Sequence, residues 1–392
     1  LDGLPAELFA AAWLARRRFP VYTSRNDTFA QFRSPKAVPL FAAATCRAIL
    51  PFRSRRLGVF VKMHVFRRVL TLGAASVVGL ASLSPATAQD KQYSIAFVPK
   101  LINIGYFNAM QQGAEDAAKK FNVKFVYNGP TTADANLQVQ TVKQLIAQHV
   151  DAIAVAPDDP AVLAPALAQA AAQGIKTFTS DTDAPSSSRL VFVNQALDTA
   201  IGNATIDSLA DQMGKQGEWA IDSCGPAAQN LNGWIVIEKK RAAEKYPGMK
   251  LVATVYSGED QAKAVADSRD LITAHPNLKG ILGQCTTSGP GAAQAVTELK
   301  KIGKVFVTGV ALPSGMKQYI ENGASKSFVL WDPSKLGYLT VWAGAQLAAG
   351  KPFQAENDVP GLGKIAYDAS KKMLLLGPPT TFTKANIDQY KF

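Results

Sequence analysis

Histidine and cysteine are both scarce in this chain of 392 residues, which holds three of each. His149 and His275, isolated near predicted helix ends, supply neither a zinc ligand set nor a Ser-His-Asp triad. No Gly-x-Ser-x-Gly elbow occurs, and no phosphate loop ending in Gly-Lys-Ser/Thr. After the first predicted strand, Pro99-Lys100-Leu101-Ile102-Asn103-Ile104-Gly105 offers one glycine where a dinucleotide fingerprint needs three. With no cofactor, no metal and no catalytic constellation to expect, binding is a stronger reading than chemistry.

Methionine, too, is absent until Met63. From there Met63-His64-Val65-Phe66-Arg67-Arg68 leads into an uncharged apolar run over 69–83, closed by Pro85-Ala86-Thr87-Ala88-Gln89. A basic head, a short apolar stretch and a small-x-small end are the parts of a secretory signal peptide. The run is shorter than the about 20 residues a membrane helix needs. The expectation is a signal peptide over 63–88, cut after Ala88 on the general secretory route, leaving a protein of 304 residues in a bacterial periplasm. No cysteine sits just after the run to accept a lipid anchor. Residues 1–62, with eleven Lys/Arg against three Asp/Glu and no apolar period, read as upstream sequence joined to the true start; a basic N-terminal arm is the alternative.

That division disposes of the charge. Of the formal +12, residues 1–62 carry +8 and the signal +2, so the remainder is close to neutral at +2. A near-neutral surface gives no reason to expect nucleic acid or an anionic membrane as partner.

From residue 92 onward, short apolar runs alternate with amphipathic stretches. Strands are predicted over 93–98, 123–127, 152–156 and 176–179, with helices over 109–121, 135–149 and 161–173 between them. The rhythm repeats with strands at 218–222, 251–256, 280–283 and 304–308, separated by helices near 230–246, 260–274, 289–301 and 313–322. Two such series indicate an α/β protein of two doubly wound, Rossmann-like parallel-sheet lobes rather than one large sheet. A further strand is predicted over 327–330, then a helix opened by Asp332-Pro333 and ended by Gly350. The tail reads as short strands and turns.

In open α/β sheets, ligands sit beyond the carboxyl ends of the strands. That rule nominates Lys100, Tyr106 and Phe107 after the first strand, and Asp181 within Thr179-Ser180-Asp181-Thr182-Asp183 after the fourth. In the second series it nominates Asn230, Asn232 and Trp234, then Gln284 and Thr286. Amides, carboxylates and hydroxyls beside aromatic faces suit a small neutral polyhydroxy ligand. The same loops also furnish caps and turns.

The motifs Ile95-Ala96-Phe97-Val98-Pro99-Lys100-Leu101, Tyr127-Asn128-Gly129-Pro130-Thr131, Ser180-Asp181-Thr182-Asp183, Leu330-Trp331-Asp332 and the closing Phe382-Thr383-Lys384-Ala385-Asn386-Ile387 carry a family resemblance. Residues 92–392 resemble the periplasmic sugar-binding proteins of the ribose-binding type, nearest the branch that binds autoinducer-2 or rhamnose. The resemblance implies a type I periplasmic binding fold with two lobes joined by three hinge crossings, and a monomer is expected. These are expected near Asn194-Gln195, near Leu330 and over 351–357. The N-terminal lobe would then comprise 91–194 plus about 331–351, and the C-terminal lobe 195–330 plus about 352–392. Lys100 and Asp181 match the family's ligand-contacting Lys and Asp, and Trp331 and Asp332 join the candidates; Asp332 stays open between ligand group and helix cap. Where autoinducer-2 binders carry adjacent Asp and Gln, this chain has Asn230-Leu231; where they carry Pro and Ala, it has Gln284 and Thr286; the ribose binders' Asp after 308–309 is replaced near Ala311. Those departures favour a rhamnose-like deoxysugar, pentose or polyol over autoinducer-2 or ribose. The implied partner is the membrane permease of an ATP-binding-cassette importer, with a chemoreceptor allowed as a second. A sugar-responsive transcription regulator shares such a core, but here an export signal stands where its DNA-binding segment would be.

Cys224 and Cys285 follow the first and third strands of the second lobe, neighbours in the usual doubly wound order. In an oxidising compartment they could form a disulfide; two unrelated small buried side chains are the alternative.

Overall fold

A computed structural model describes residues 91–392. The segment 1–62, the signal peptide 63–88 and its cleavage point at Ala88 lie outside the described residues. The apolar run Ile95-Ala96-Phe97-Val98 forms β1 (Ser94–Val98) and is fully buried, as a strand covered by helices on both faces must be. After it come α1 (Gly105–Lys120), β2 (Lys124–Tyr127), α2 (Ala135–Ala147), β3 (Ala152–Val155), α3 (Pro160–Ala172), β4 (Lys176–Ser180) and β5 (Phe192–Asn194). Asp134 and Asp159 start α2 and α3 by accepting hydrogen bonds from otherwise unpaired backbone N–H groups. Alternation along the strands sorts the core into two layers. Ala96, Val98, Ile153 and Val155 meet Val142, Leu145, Leu163 and Leu167 of α2 and α3. Ile95, Phe97 and Phe178 face the other way, into the layer that holds Met110.

The chain then crosses into a second lobe of α4 (Asp198–Met213), β6 (Gln216–Ser223), α5 (Gln229–Lys245), β7 (Gly248–Tyr256), α6 (Gln261–Ala274), β8 (Leu278–Gly283), α7 (Ser288–Glu298), β9 (Phe306–Gly309), α8 (Pro313–Asn322) and β10 (Ser327–Leu330). Its sheet is parallel, in the order β7-β6-β8-β9. A parallel bridge between Val310 and Val329 hooks β10 onto its edge. After Leu330 the chain returns, and α9 (Pro333–Ala348) lies along α1 and against β3, β4 and β5.

The tail departs from the sequence expectation. β11 (Glu356–Val359), β12 (Gly363–Asp368) and β13 (Met373–Leu375) do not belong to the C-terminal lobe. β13 runs parallel to β5, pairing Met373 with Phe192 and Leu375 with Asn194, and β12 and β11 add to it antiparallel. The first sheet therefore has eight strands in the order β11-β12-β13-β5-β4-β3-β1-β2. The physical reason is edge protection: β5 would otherwise expose unpaired backbone groups, and the meander covers that edge while burying Val359, Ile365 and Leu374. The third crossing falls after Leu375, not over 351–357. Only β14 (Thr380–Thr383), antiparallel to β10, and the short turn Ile387–Gln389 return to the second lobe.

The seam between α1 and α9 is built on glycine. A Cβ at Gly113 would lie 1.8 Å from the Ser334 carbonyl oxygen, and one at Gly337 would lie 1.8 Å from that of Met110. Only glycine allows this backbone approach; α1 carries Tyr106 and Phe107 of the cleft on its first turn, and Trp331 lies just ahead of α9. Gly337→Ala is expected to lower unfolding stability by about 1–3 kcal/mol, the usual cost of overpacking, read as a lower urea midpoint with an unchanged slope.

Candidate ligand-binding cleft

Between the lobes lies a cleft where strand ends from both sheets converge. The first lobe sends in Lys100 from the end of β1, Tyr106 and Phe107 from the first turn of α1, and Asp181 from the end of β4. Asp181 sits at φ 68°, in the left-handed region a non-glycine residue seldom occupies. Strain of this kind persists where surrounding contacts hold it, and here they do. Tyr106 Oη donates to Asp181 Oδ1 at 2.7 Å, Thr182 Oγ1 donates to Oδ2 at 3.1 Å, and Trp331 Nε1 donates to Tyr106 Oη at 2.9 Å. Burial and the adjacent Asp181 carboxylate push the Tyr106 phenol well above its ordinary pKa, so it stays a proton donor.

Lys100 Nζ is 4.0 Å from Asp181 Oδ2 and 3.4 Å from Asn230 Oδ1, and the side chain is only 4% exposed. The bond to Asn230 is a polar link from one lobe to the other. Trp331, on the crossing between β10 and α9, stands edge-on to Tyr106 at 6.0 Å and to Trp234 at 5.9 Å, tying the aromatics of both lobes together. Trp234 is held from behind by donating Nε1 to Asp198 Oδ1 at 2.9 Å.

Gln284 follows β8 and is completely buried. Its Nε2 donates to the Glu238 carboxylate, while its Oε1 has no partner among the described residues. Thr205 Oγ1 also donates to Glu238, at 2.6 Å. The bond to Glu238 fixes the amide and leaves its Oε1 as an unused acceptor among the described residues. Burial pushes Glu238 up to about 7 against the two hydrogen bonds, which favour its charged form. Asp158 and Asp222 are likewise pushed up to about 7, chiefly by burial.

The structure brings together all but two of the residues nominated from sequence. Asn232 is outside: its Nδ2 donates to the Pro226 carbonyl at 2.9 Å, because the face of α5 that meets the cleft carries Asn230, Leu231 and Trp234. Asp332 is also outside, capping α9: its Oδ1 accepts from Ser334 N at 3.0 Å, Lys335 N at 3.2 Å and Ser334 Oγ at 2.6 Å. Asn194, Gln195 and Leu330 lie at the crossings, buried, with both amide atoms of Gln195 unpaired. Sequence reading passed over Glu259, which lines the cleft from the loop after β7. The strand-end rule would have found it, had a Gly-Glu-Asp turn not read as solvated surface.

Cys224 and Cys285 close the same wall. They follow the paired strands β6 and β8, with Cα atoms 6.2 Å apart, inside the span of a disulfide. Their sulfurs and a Glu259 oxygen lie within 4.8 Å of one another. Joined in a disulfide, the two sulfurs would offer no thiolate to a metal.

The raised carboxyls set a pH dependence. Each binds its proton more tightly folded than unfolded, so its contribution to stability is full below about pH 4 and is lost as pH rises through about 7. Glu238→Gln is expected to flatten that decline between pH 4.5 and 7.5 by on the order of 2 kcal/mol, measured by urea unfolding across the range against the wild-type chain.

Comparison with known proteins agrees with this architecture. The family described as periplasmic binding protein domain matches residues 95–352. A D-allose-binding periplasmic protein of Escherichia coli is 27% identical over 277 residues, covering 67% of this chain and 86% of its own. A xylitol-binding protein of Mycolicibacterium smegmatis is 27% identical over 254 residues, covering 62% and 70%. Among solved structures, an ABC transporter solute-binding protein from Clostridium phytofermentas with bound L-rhamnose superposes with a TM-score of 0.73 at 30% identity, covering 76% of this chain and 98% of its own. LsrB from Clostridium saccharobutylicum in complex with AI-2 gives 0.73 at 26%, covering 76% and 100%. Two parallel-sheet lobes, three crossings and a polar, aromatic-walled cleft between them, together with the match over 95–352, place this chain in the periplasmic binding protein family.

Proposed function

We propose that this protein captures a small neutral sugar or polyol, of rhamnose-like, pentose or related type, and hands it unaltered to the membrane permease of an ATP-binding-cassette importer. The observation that carries the reading is the buried Lys100–Asp181 pair, locked by Tyr106 and Trp331 and facing Asn230 across the cleft. Such a pair offers a donor and acceptors to neighbouring hydroxyls, and Phe107, Trp234 and Trp331 supply apolar faces for the C–H side of a ring. Closure follows from differential binding: a ligand bridging groups on both lobes favours the closed form by as much as it prefers it. A wrong ligand leaves buried polar groups unpaired, which is the main source of discrimination.

Uptake of autoinducer-2 is the second reading, favoured by the likeness to the AI-2-bound structure. Against it stand Asn230, Gln284 and Thr286, the positions at which this chain departs from that branch.

Calorimetric titration with L-rhamnose, D-arabinose, D-allose and xylitol is expected to reveal binding to at least one. A response to AI-2 with none to any of the four would reject the sugar reading. Asp181→Ala leaves Lys100 without its carboxylate, a change of about 2–5 kcal/mol, and should weaken binding at least 100-fold while the far-ultraviolet circular dichroism is unchanged.

An oxidising compartment fits the paired cysteines, and we expect a Cys224–Cys285 disulfide. Closing that loop would add about 4 kcal/mol on the chain-entropy account. Peptide mapping without reductant should recover the two cysteines linked; recovery as two free thiols would remove the brace.

A further inference from the structure

Glu259 has no structural task in its own loop. The neighbouring Asp260 caps α6, accepting from Ala262 N at 2.8 Å and Lys263 N at 3.2 Å. Gly258 makes the turn at φ 71°. Lys263 pairs with Asp267 rather than with Glu259. Yet Glu259 is 9% exposed and lines the cleft, and among the described residues no hydrogen bond or ion pair reaches its carboxylate. Its backbone sits at φ 62°, where a side chain is disfavoured and glycine is at ease. A buried, unpartnered carboxylate on a strained residue is costly twice over. The loop is nonetheless held in place: Ser257 N donates to the Ser223 carbonyl at 2.7 Å and Gly258 N to that of Cys224 at 3.3 Å. The carboxylate is thus presented to the cleft from a fixed platform, within electrostatic reach of Lys100 and Asp181 on the other lobe.

We infer that Glu259 is the ligand-selecting carboxylate of the second lobe, accepting hydrogen bonds from two adjacent hydroxyls of the sugar and so setting a requirement for a vicinal diol at that end of the ligand. This rests on the sugar-binding reading above and adds to it the group that reads the ligand from the C-terminal side. The donors on the aromatic rings of the cleft are already spent, Trp331 Nε1 on Tyr106, Tyr106 Oη on Asp181 and Trp234 Nε1 on Asp198, which leaves Lys100 Nζ, Asn230 Nδ2 and Thr286 Oγ1 as donors. What remains is rich in acceptors, namely Glu259, Asp181 and the free Oε1 of Gln284. A ligand must bring hydroxyl donors to match them. Asn230, the residue that stands where autoinducer-2 binders carry an acid, leaves Glu259 as the carboxylate on this side of the cleft.

Two variants separate the role from the fold. Glu259→Gly removes the carboxylate but suits the left-handed backbone, so its melting temperature should equal or exceed that of the wild type. Glu259→Gln keeps shape and polarity without the charge. Titrated with whichever of L-rhamnose, D-arabinose, D-allose and xylitol the wild-type chain binds, Glu259→Gly should lose at least 30-fold in affinity and Glu259→Gln about 10-fold. Monodeoxy analogues of that sugar supply the second arm. For an analogue lacking one of the hydroxyls that meet Glu259, the gap between wild type and Glu259→Gln should shrink to about a third or less; for analogues altered elsewhere it should persist. Affinity of Glu259→Gly within twofold of wild type overturns the inference and leaves the sugar reading standing. So does a gap that stays the same for every analogue, since a merely structural effect would be blind to the hydroxyl removed. A wild-type chain that binds none of the four overturns both.

Discussion

The organisation of the cleft depends on keeping Lys100 and Asp181 paired in a place almost without water. A charged pair out of solvent is stable only when its remaining hydrogen-bonding capacity is met, and the surrounding structure is arranged to meet it. Tyr106 supplies one hydrogen bond to Asp181, Thr182 a second, and Trp331 fixes the phenol that gives the first. These partners come from three separate parts of the chain: the first turn of α1, the end of β4, and the crossing after β10. The full network therefore needs α1 and α9 packed on each other, and that packing depends on two glycines whose absent side chains let backbone meet backbone.

Such a network couples recognition to lobe geometry. Trp331 belongs to a crossing and touches Tyr106 on one side and Trp234 on the other, so it joins the aromatics of the two lobes. The two walls differ in kind. The first is an ion pair dressed with aromatic rings; the second is a set of acceptors held from behind, Gln284 by Glu238 and the Glu259 loop by the backbone of residues 223 and 224. On the function proposed above, a polyhydroxylated molecule would satisfy both walls at once only when they are near each other, which would couple binding to lobe closure.

Most of the first wall was legible because it follows from a local rule, that ligands gather at the carboxyl ends of parallel strands, applied to strands whose apolar runs are unmistakable. The failures have equally specific causes. Asn230 and Asn232 are two positions apart on a helix, about 200° around it, so only one can face the cleft; which one depends on how α5 is rotated by the anchoring of Trp234 to Asp198. Asp332 carries two competing local signals, and its cap contacts with Ser334 and Lys335 absorb the side chain. Glu259 was overlooked because a charged residue beside glycine reads as a solvated turn, and its burial depends on tertiary neighbours in the cleft.

The alternation of strand and helix, the caps at Asp134, Asp159 and Asp260, and the existence of two lobes are all written in short-range patterns, since burial period and capping involve residues a few positions apart. The destination of the tail is not. Residues 356–375 have half-exposed strands whose pattern is compatible with any free edge, and the choice of β5 as partner was made by which edge stood unpaired once the first sheet had assembled. The meeting of Lys100 with Asn230, 130 positions away, has the same character: contacts across such separations depend on the packing of everything between them, which no window of sequence contains.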